Sequence, residues 1–212
     1  MIVTEAVRHY TEGLRAQPDP VLAEMERQAA HDHVPIVVPQ TGALLHVLAL
    51  ACRASRIVEV GTAIGVSTLY LARALPPGAK ITSFEIDRER HEAARGYLER
   101  AGVSDRCELR LQDAREGLSQ LEVQFDMAFI DGAKTQYGDY FEQLLPRLRQ
   151  GGLLAVDNAL MGGAVAEGRS DRGWTDDQIQ SARAFNERLV RGGDLTGTVT
   201  PVGDGVLIAV KR

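Results

Sequence analysis

Cysteine is almost absent from this 212-residue chain: Cys52 and Cys107 stand alone and far apart. Two such residues make neither a disulfide framework nor a zinc pattern, so both read as small core hydrophobes of a protein kept in the cytoplasm. Aromatics are scarce, at 5%, with a single tryptophan, Trp174. Basic residues are in deficit: 24 Lys and Arg against 29 Asp and Glu leave a net charge of -5. That balance offers no basic patch and argues against nucleic acid as a partner. No run approaches the ~20 apolar residues of a membrane span. The opening Met1-Ile2-Val3-Thr4-Glu5 has no basic stretch before an apolar core, so neither a membrane nor a secretory signal is expected. Repeats and low-complexity linkers are missing too. What remains is an ordinary 44% hydrophobic content in a length that suits one large domain better than two.

Val3, Val7, Tyr10 and Leu14 share one helical face, and Pro18-Asp19-Pro20 breaks the run. A second helix carries Val21, Leu22 and Met25, residues 31–35 read as a loop, and Thr41-Gly42 opens an apolar helix over 43–51. From Arg56 strands and helices alternate: strand 57–60, turn 61–65, helix 67–74, strand 80–84, helix 88–101, strand 107–111, helix 114–121, strand 125–130, helix 140–148 and strand 153–156. Such alternation predicts a parallel sheet with helices on both faces. A polar, glycine-rich loop covers 161–173, followed by a helix over 176–190 and strands over 195–200 and 206–210. Asp204-Gly205 between them is a hairpin signal, so one of these strands runs antiparallel to its neighbour. The expectation is one α/β domain, a helical extension over 1–40 on a core over 41–212.

Two apolar runs end alike. Met127-Ala128-Phe129-Ile130 leads into Asp131, and Leu153-Leu154-Ala155-Val156 leads into Asp157-Asn158. As neighbouring parallel strands they would set three hard oxygen ligands side by side at the carboxyl edge of the sheet, where open α/β sheets bind ligands. Such oxygens suit magnesium, with manganese or calcium as alternatives. Lys134, just beyond Asp131, is either a base whose proton is loosened by a cation or a structural partner of the carboxylates. Gly61 and Gly65 in Glu59-Val60-Gly61-Thr62-Ala63-Ile64-Gly65-Val66-Ser67 open the first strand-helix turn to a ligand and leave N–H groups free. Their spacing is not G-x-G-x-x-G, and no phosphate-binding lysine follows, which suits a nucleoside. Glu85, directly after Phe84, is placed to accept from ribose hydroxyls, with Asp87 as a helix N-cap. In Gln112-Asp113-Ala114, Asp113 or the Ala114 backbone reads an adenine, or Asp113 is a plain cap.

Taken in order, Glu59 to Ser67, Glu85-Ile86-Asp87, Phe129-Ile130-Asp131-Gly132-Ala133-Lys134 and Val156-Asp157-Asn158 resemble the metal-dependent class I O-methyltransferases. This is the family of catechol and caffeoyl-coenzyme A O-methyltransferases, its bacterial branch above all. The resemblance implies a Rossmann-like three-layer sandwich whose seven-stranded sheet is parallel except for its last strand. It also implies S-adenosylmethionine as methyl donor, a divalent metal, and a homodimer; the N-terminal helices either serve its interface or simply cover the sheet. Carried onto this sequence, it gives Asp131, Asp157 and Asn158 to the metal. It gives Val38, Glu59, Gly61, Ser67, Glu85, Asp113, Ala114 and Asp131 to the donor, and Lys134 with Asp131 to catalysis. Two departures stand out. Ala133 sits where many relatives are acidic, and Leu160-Met161 sits where a tryptophan often follows the asparagine.

The expected reaction is methyl transfer to a hydroxyl of a small, catechol-like aromatic. Two other readings are an NAD-linked oxidoreductase on a Rossmann sheet, which lacks its second fingerprint glycine, and a non-catalytic nucleoside-binding protein. Trp174 either covers an aromatic acceptor or caps the core. His31 and His33 line the acceptor pocket or stand in solvent, and His46 and His91 are helix-face residues. The acceptor loops, 34–40 and 160–174, hold no readable code.

Overall fold

Strands β1 (Arg56–Val60), β2 (Lys80–Glu85), β3 (Cys107–Leu111), β4 (Phe125–Ile130), β5 (Leu148–Val156), β6 (Leu195–Thr200) and β7 (Val206–Lys211) form one sheet in the order β3-β2-β1-β4-β5-β7-β6. Only β7 runs antiparallel, wedged between β5 and β6. The computed structural model describes residues 4–169 and 173–212; Met1, Ile2, Val3 and the part of the glycine-rich loop over 170–172 lie outside them. Among the described residues no helix is long and apolar enough to cross a membrane.

The central strands are apolar on both sides because both faces are covered, as parallel sheets require. Ile57, Ile81, Phe129 and Ala155 face α2 (Pro20–Asp32), α3 (Pro39–Ala51), α4 (Val66–Ala74) and α5 (Arg88–Arg100). Val58, Phe84, Ile130 and Val156 face α6 (Ala114–Ser119), α7 (Tyr137–Leu144) and α9 (Asp176–Arg191). Each wholly buried large side chain, such as Phe129, contributes on the order of 2 kcal/mol of transfer free energy. A third, small cluster stands apart: Met161, Ala164, Val165, Ile179 and Ala182 with Trp174 against them, built on α8 (Ala164–Glu167) and the start of α9. The N-terminal α1 (Glu5–Gly13) buries no residue in this chain.

Several boundaries differ from the sequence pattern. Residues 31–32 belong to α2, whose start is set by the Asp19 side chain accepting from Val21 and Leu22 N–H, with Pro20 at the first helical position. α1 already ends at Gly13, so Pro18-Asp19-Pro20 begins the second helix rather than breaking the first. In the same way α3 opens at Pro39, before Thr41-Gly42. The helix read over 140–148 lies at Tyr137–Leu144: Tyr137, Tyr140, Phe141 and Leu144 are its buried stripe, and Pro146 forbids continuation. β5 begins earlier, at Leu148, with a register irregularity opposite Phe125 and Met127. The glycine-rich loop holds a 3-10 turn at Met161–Gly163 and the short α8.

Candidate active site

The parallel ladder carries the key residues over the carboxyl edge in step. Asp131 N–H donates to Val60 O (2.8 Å), and Asp157 N–H donates to Ile130 O (3.0 Å), so the ends of β1, β4 and β5 are tied in a row. Asn158 then adopts φ +58, a left-handed conformation that asparagine tolerates, and ends the strand. Asp131, Asp157, Asn158 and Lys134 line one cavity of about 490 Å³, with Pro35, Ile36, Val38 and Trp174 as its apolar wall. Trp174 packs on the small third cluster and also lines the cavity.

Lys134 Nζ donates to Asp131 Oδ1 at 2.8 Å, with the lysine side chain 14% exposed. Asp157 has no such partner. It is 6% exposed, and its Oδ1 accepts no hydrogen bond. Burial, then the neighbouring Asp131, push its carboxyl up to about 7. Burial also raises Asp131, against the pull of Lys134. Among the described residues no three His, Cys, Asp or Glu side chains converge to hold an ion. The set offered is instead two carboxylates and one amide oxygen. An orphaned, buried carboxylate oxygen beside a like charge fits a divalent cation, because a buried charge without a partner is otherwise costly.

The donor half is organised by the turn after β1. Gly61 holds φ +96, and a Cβ there would lie 2.4 Å from Asp131 O. The close approach of β4 therefore demands this glycine, a reason other than the ligand access read from the sequence. Nor are the turn's amides free: Gly61 and Thr62 N–H donate to Phe84 O, and Ala63 N–H donates to Glu85 Oε2 at 2.7 Å. Glu85 Oε1 accepts from Ile86 and Asp87 N–H, both at 2.9 Å. Oε1 is thereby filled, while Oε2 keeps a second lone pair for a ribose hydroxyl. Glu59 is wholly buried beneath the turn, where its Oε2 accepts from Thr68 and Ser83 hydroxyls and its Oε1 has no partner. Burial raises its carboxyl to about 7. Ser67 is buried in the first turn of α4 and Ala114 in that of α6. Asp113 caps α6 through Arg115 N–H and forms an ion pair with the Arg115 guanidinium, so the capping role is the one seen. Val38, 43% exposed, stands at the start of α3 and on the cavity wall.

The histidines stay out of the site. His31 is 87% exposed beside Asp32, His33 ends α2, and His46 and His91 lie on α3 and α5. Cys52 and Cys107 are free and half-buried. Sequence reasoning missed Asp204 and Thr41, which line the cavity. The Asp204-Gly205 hairpin signal held the clue: β7 pairs with β5 through Leu207 and Val156, so the hairpin tip falls next to Asp157. A larger cavity, about 580 Å³, lies at the opposite edge around Asp126 and Arg149, which are bound to each other.

A glycine turn after β1, a carboxylate after β2, polar ligands after β4 and β5, and one reversed strand at the end define the class I methyltransferases. The chain belongs to the O-methyltransferase family, whose profile its residues 13–212 match. A catechol O-methyltransferase from Niastella koreensis is 33% identical over 99% of this chain and 98% of its own length. Among solved structures, the O-methyltransferase TomG from Streptomyces achromogenes, involved in tomaymycin synthesis and in complex with SAM, is 32% identical with a TM-score of 0.84, covering 99% of this chain and 100% of the other. An O-methyltransferase from Bacillus cereus in complex with SAH is 30% identical with a TM-score of 0.86, covering 98% and 97%. The oxidoreductase and the non-catalytic readings give way to this membership.

Proposed function

We propose that the protein transfers a methyl group from S-adenosylmethionine to a hydroxyl of a small, catechol-like aromatic, with a divalent cation held by Asp131, Asp157 and Asn158. The observation that carries this reading is the Asp157 carboxylate, buried with its Oδ1 left without a hydrogen bond among the described residues, beside a second carboxylate and an amide oxygen in one cavity. Hard oxygen donors favour magnesium, with manganese or calcium as other occupants of the same ligands. Once bound, such an ion lowers the pKa of a coordinated hydroxyl. Lys134, held by Asp131 at hydrogen-bond distance, would first release its ammonium proton to solvent beside the bound cation and then, as the neutral amine, take the acceptor's proton. The acceptor oxygen then forms its bond to the methyl carbon as the carbon–sulfur bond breaks, discharging the sulfonium. Glu85, Ser67, Val38 and the Ala114 backbone hold the donor, with Glu59 and Asp113 supporting the walls around it. Positioning of this kind is worth up to ~7–11 kcal/mol. Pro35, Ile36, Val38 and Trp174 suit an aromatic ring, and the Niastella relative, named for catechol, agrees with that acceptor class.

The test is label transfer from methyl-labelled donor to a simple catechol, with magnesium and with chelator. Turnover is expected only with the metal. Asp157→Ala is expected to lower kcat by on the order of a thousandfold, while calorimetric donor affinity changes little. Full activity in chelator would remove the cation from this mechanism.

We also infer a homodimer working in the cytoplasm, where its two thiols stay reduced. Val7, Tyr10 and Leu14 form an exposed apolar stripe on α1, and α3 is apolar all round yet exposes Val47 and Leu50. A helix apolar on every side is normally covered.

A further inference from the structure

The backbone that carries Asp157 and Asn158 is pinned by two side chains that the proposed chemistry does not use. Tyr137 Oη donates to Asp157 O, the carbonyl of the peptide joining the pair, at 3.2 Å, from a side chain buried in the core. On the far side, Asn186 Nδ2 donates to Ala159 O at 2.7 Å. Ala159 is itself buried, and its N–H donates to Gly205 O at 2.8 Å, so the residue after Asn158 is fixed through both of its backbone polar groups. The two pins are coupled through α9. Asn186 follows Phe185 on that helix, and the Phe185 ring packs edge-on against Tyr137 with centroids 5.7 Å apart.

Asn158 has need of such pins. Its φ of +58 lies in the left-handed region, which asparagine tolerates but does not prefer. A residue in that region keeps its conformation only where its surroundings over-determine it. Its own carbonyl is held loosely, by Met161 N–H at 3.2 Å, and Met161 is left-handed too, at φ +47. Nor does Asp157 supply an anchor of its own, since its Oδ1 accepts no hydrogen bond among the described residues. The aim of both ligands into the cavity is therefore set from the backbone. Magnesium demands near-ideal octahedral geometry, so a small rotation of the peptide after Asn158 spoils its fit.

We propose that Asn186 is a positioning residue of the cation site: by holding Ala159 O it keeps Asn158 left-handed and the oxygens of Asp157 and Asn158 facing the cavity, with Tyr137 as its counterpart on the other side. Asn186 does not line the cavity and acts only through the backbone it holds. The inference rests on the cation reading above and deepens it to the residues that set cation affinity. Hydrogen-bond partners one layer behind a metal's ligands ordinarily account for about 10–100-fold in affinity.

The experiment titrates manganese(II) into protein saturated with S-adenosylhomocysteine and reads the free ion by electron paramagnetic resonance. Asn186→Leu removes the N–H at similar volume. Asn186→Asp removes it at equal shape, and its added charge would by itself draw the cation in, so a loss there is a loss of aim. Both are expected to weaken manganese binding by about 10–100-fold. Tyr137→Phe, which keeps the packed ring, is expected to weaken it by about threefold to tenfold. Calorimetric affinity for S-adenosylhomocysteine in chelator is expected to match wild type in all three. Arg183→Met is the control on the same helix: it loses a similar bond, from Nη1 to Val165 O at 2.9 Å, and is expected to bind manganese as wild type does. Wild-type manganese affinity in the Asn186 variants, or an equal loss in Arg183→Met, overturns the inference and leaves the cation site standing. Where the Asn186 variants fail to fold, Tyr137→Phe decides in the same terms. A wild-type protein that binds no manganese overturns the cation reading, and this inference with it.

Discussion

Burial and the adjacent Asp131 raise the Asp157 carboxyl from its ordinary 3.8 to about 7. An acid whose folded pKa lies above its unfolded one binds its proton more tightly when folded. Without a cation, therefore, the contribution of this one group is most favourable below pH 3.8 and declines as pH rises to about 7. Asp157→Asn keeps the shape and deletes the charge. In chelator at pH 8 this variant is expected to melt higher than wild type, by about 1–2 kcal/mol, while methyl transfer is lost. A lower melting midpoint would contradict this account. Asp131, Asp157, Asn158 and Lys134 were legible because each stands directly past a short apolar run, and parallel pairing leaves such residues only one edge to occupy. Thr41 and Asp204 were not: the place of Asp204 depends on which strand receives β7, and that of Thr41 on how the start of α3 packs against the hairpin, neither of which local pattern encodes. Gly61 was legible as a necessary glycine, yet the atom that forbids its side chain, Asp131 O, belongs to a strand seventy residues away.

Between elements, the strongest local fastening lies at the opposite edge of the sheet. Asp126 of β4 accepts from Ser55 N–H at 2.8 Å, Ser55 Oγ at 2.9 Å and Arg56 N–H at 2.9 Å, and from Arg149 Nε of β5 at 2.7 Å. Burial pushes its pKa up, but these donors outweigh burial and bring it down to about 2. A depressed acid stabilises the fold above its unfolded value, 3.8, and that contribution is lost as pH falls through about 2. Asp126→Asn is expected to lower unfolding free energy at pH 7 by about 2 kcal/mol in urea titrations, with the deficit shrinking toward pH 2. A deficit that is constant with pH would assign the loss to packing. The alternation of strands and helices was readable from Arg56 onward because apolar runs and turn residues follow each other closely. The errors came where proline acts in two ways: Pro39 opens α3, and Pro146 closes α7. The short α8 escaped because its apolar contacts, Met161, Ala164 and Val165, come from a stretch too brief and glycine-rich to show a period.

For the molecule as a whole, the layering follows from the alternation and the reversal of one late strand from the hairpin, while the strand order does not. What covers α1 and the outer side of α3 does not follow from any single chain. If a second copy covers them, Tyr10→Glu with Leu50→Glu places charge on both stripes at positions that touch nothing buried. Light scattering is expected to give twice 23.1 kDa for wild type and 23.1 kDa for the double variant. A wild-type mass of one chain would leave the two stripes without that explanation. The small cluster under Trp174 has a different consequence. It shares no residue with the two layers that sandwich the sheet. Among the described helices only α9 joins cluster to sheet, giving Ile179 and Ala182 to the one and Phe185 and Leu189 to the other. A substitution at Trp174 would therefore reshape the mouth of the cavity and leave the packing under the strands in place.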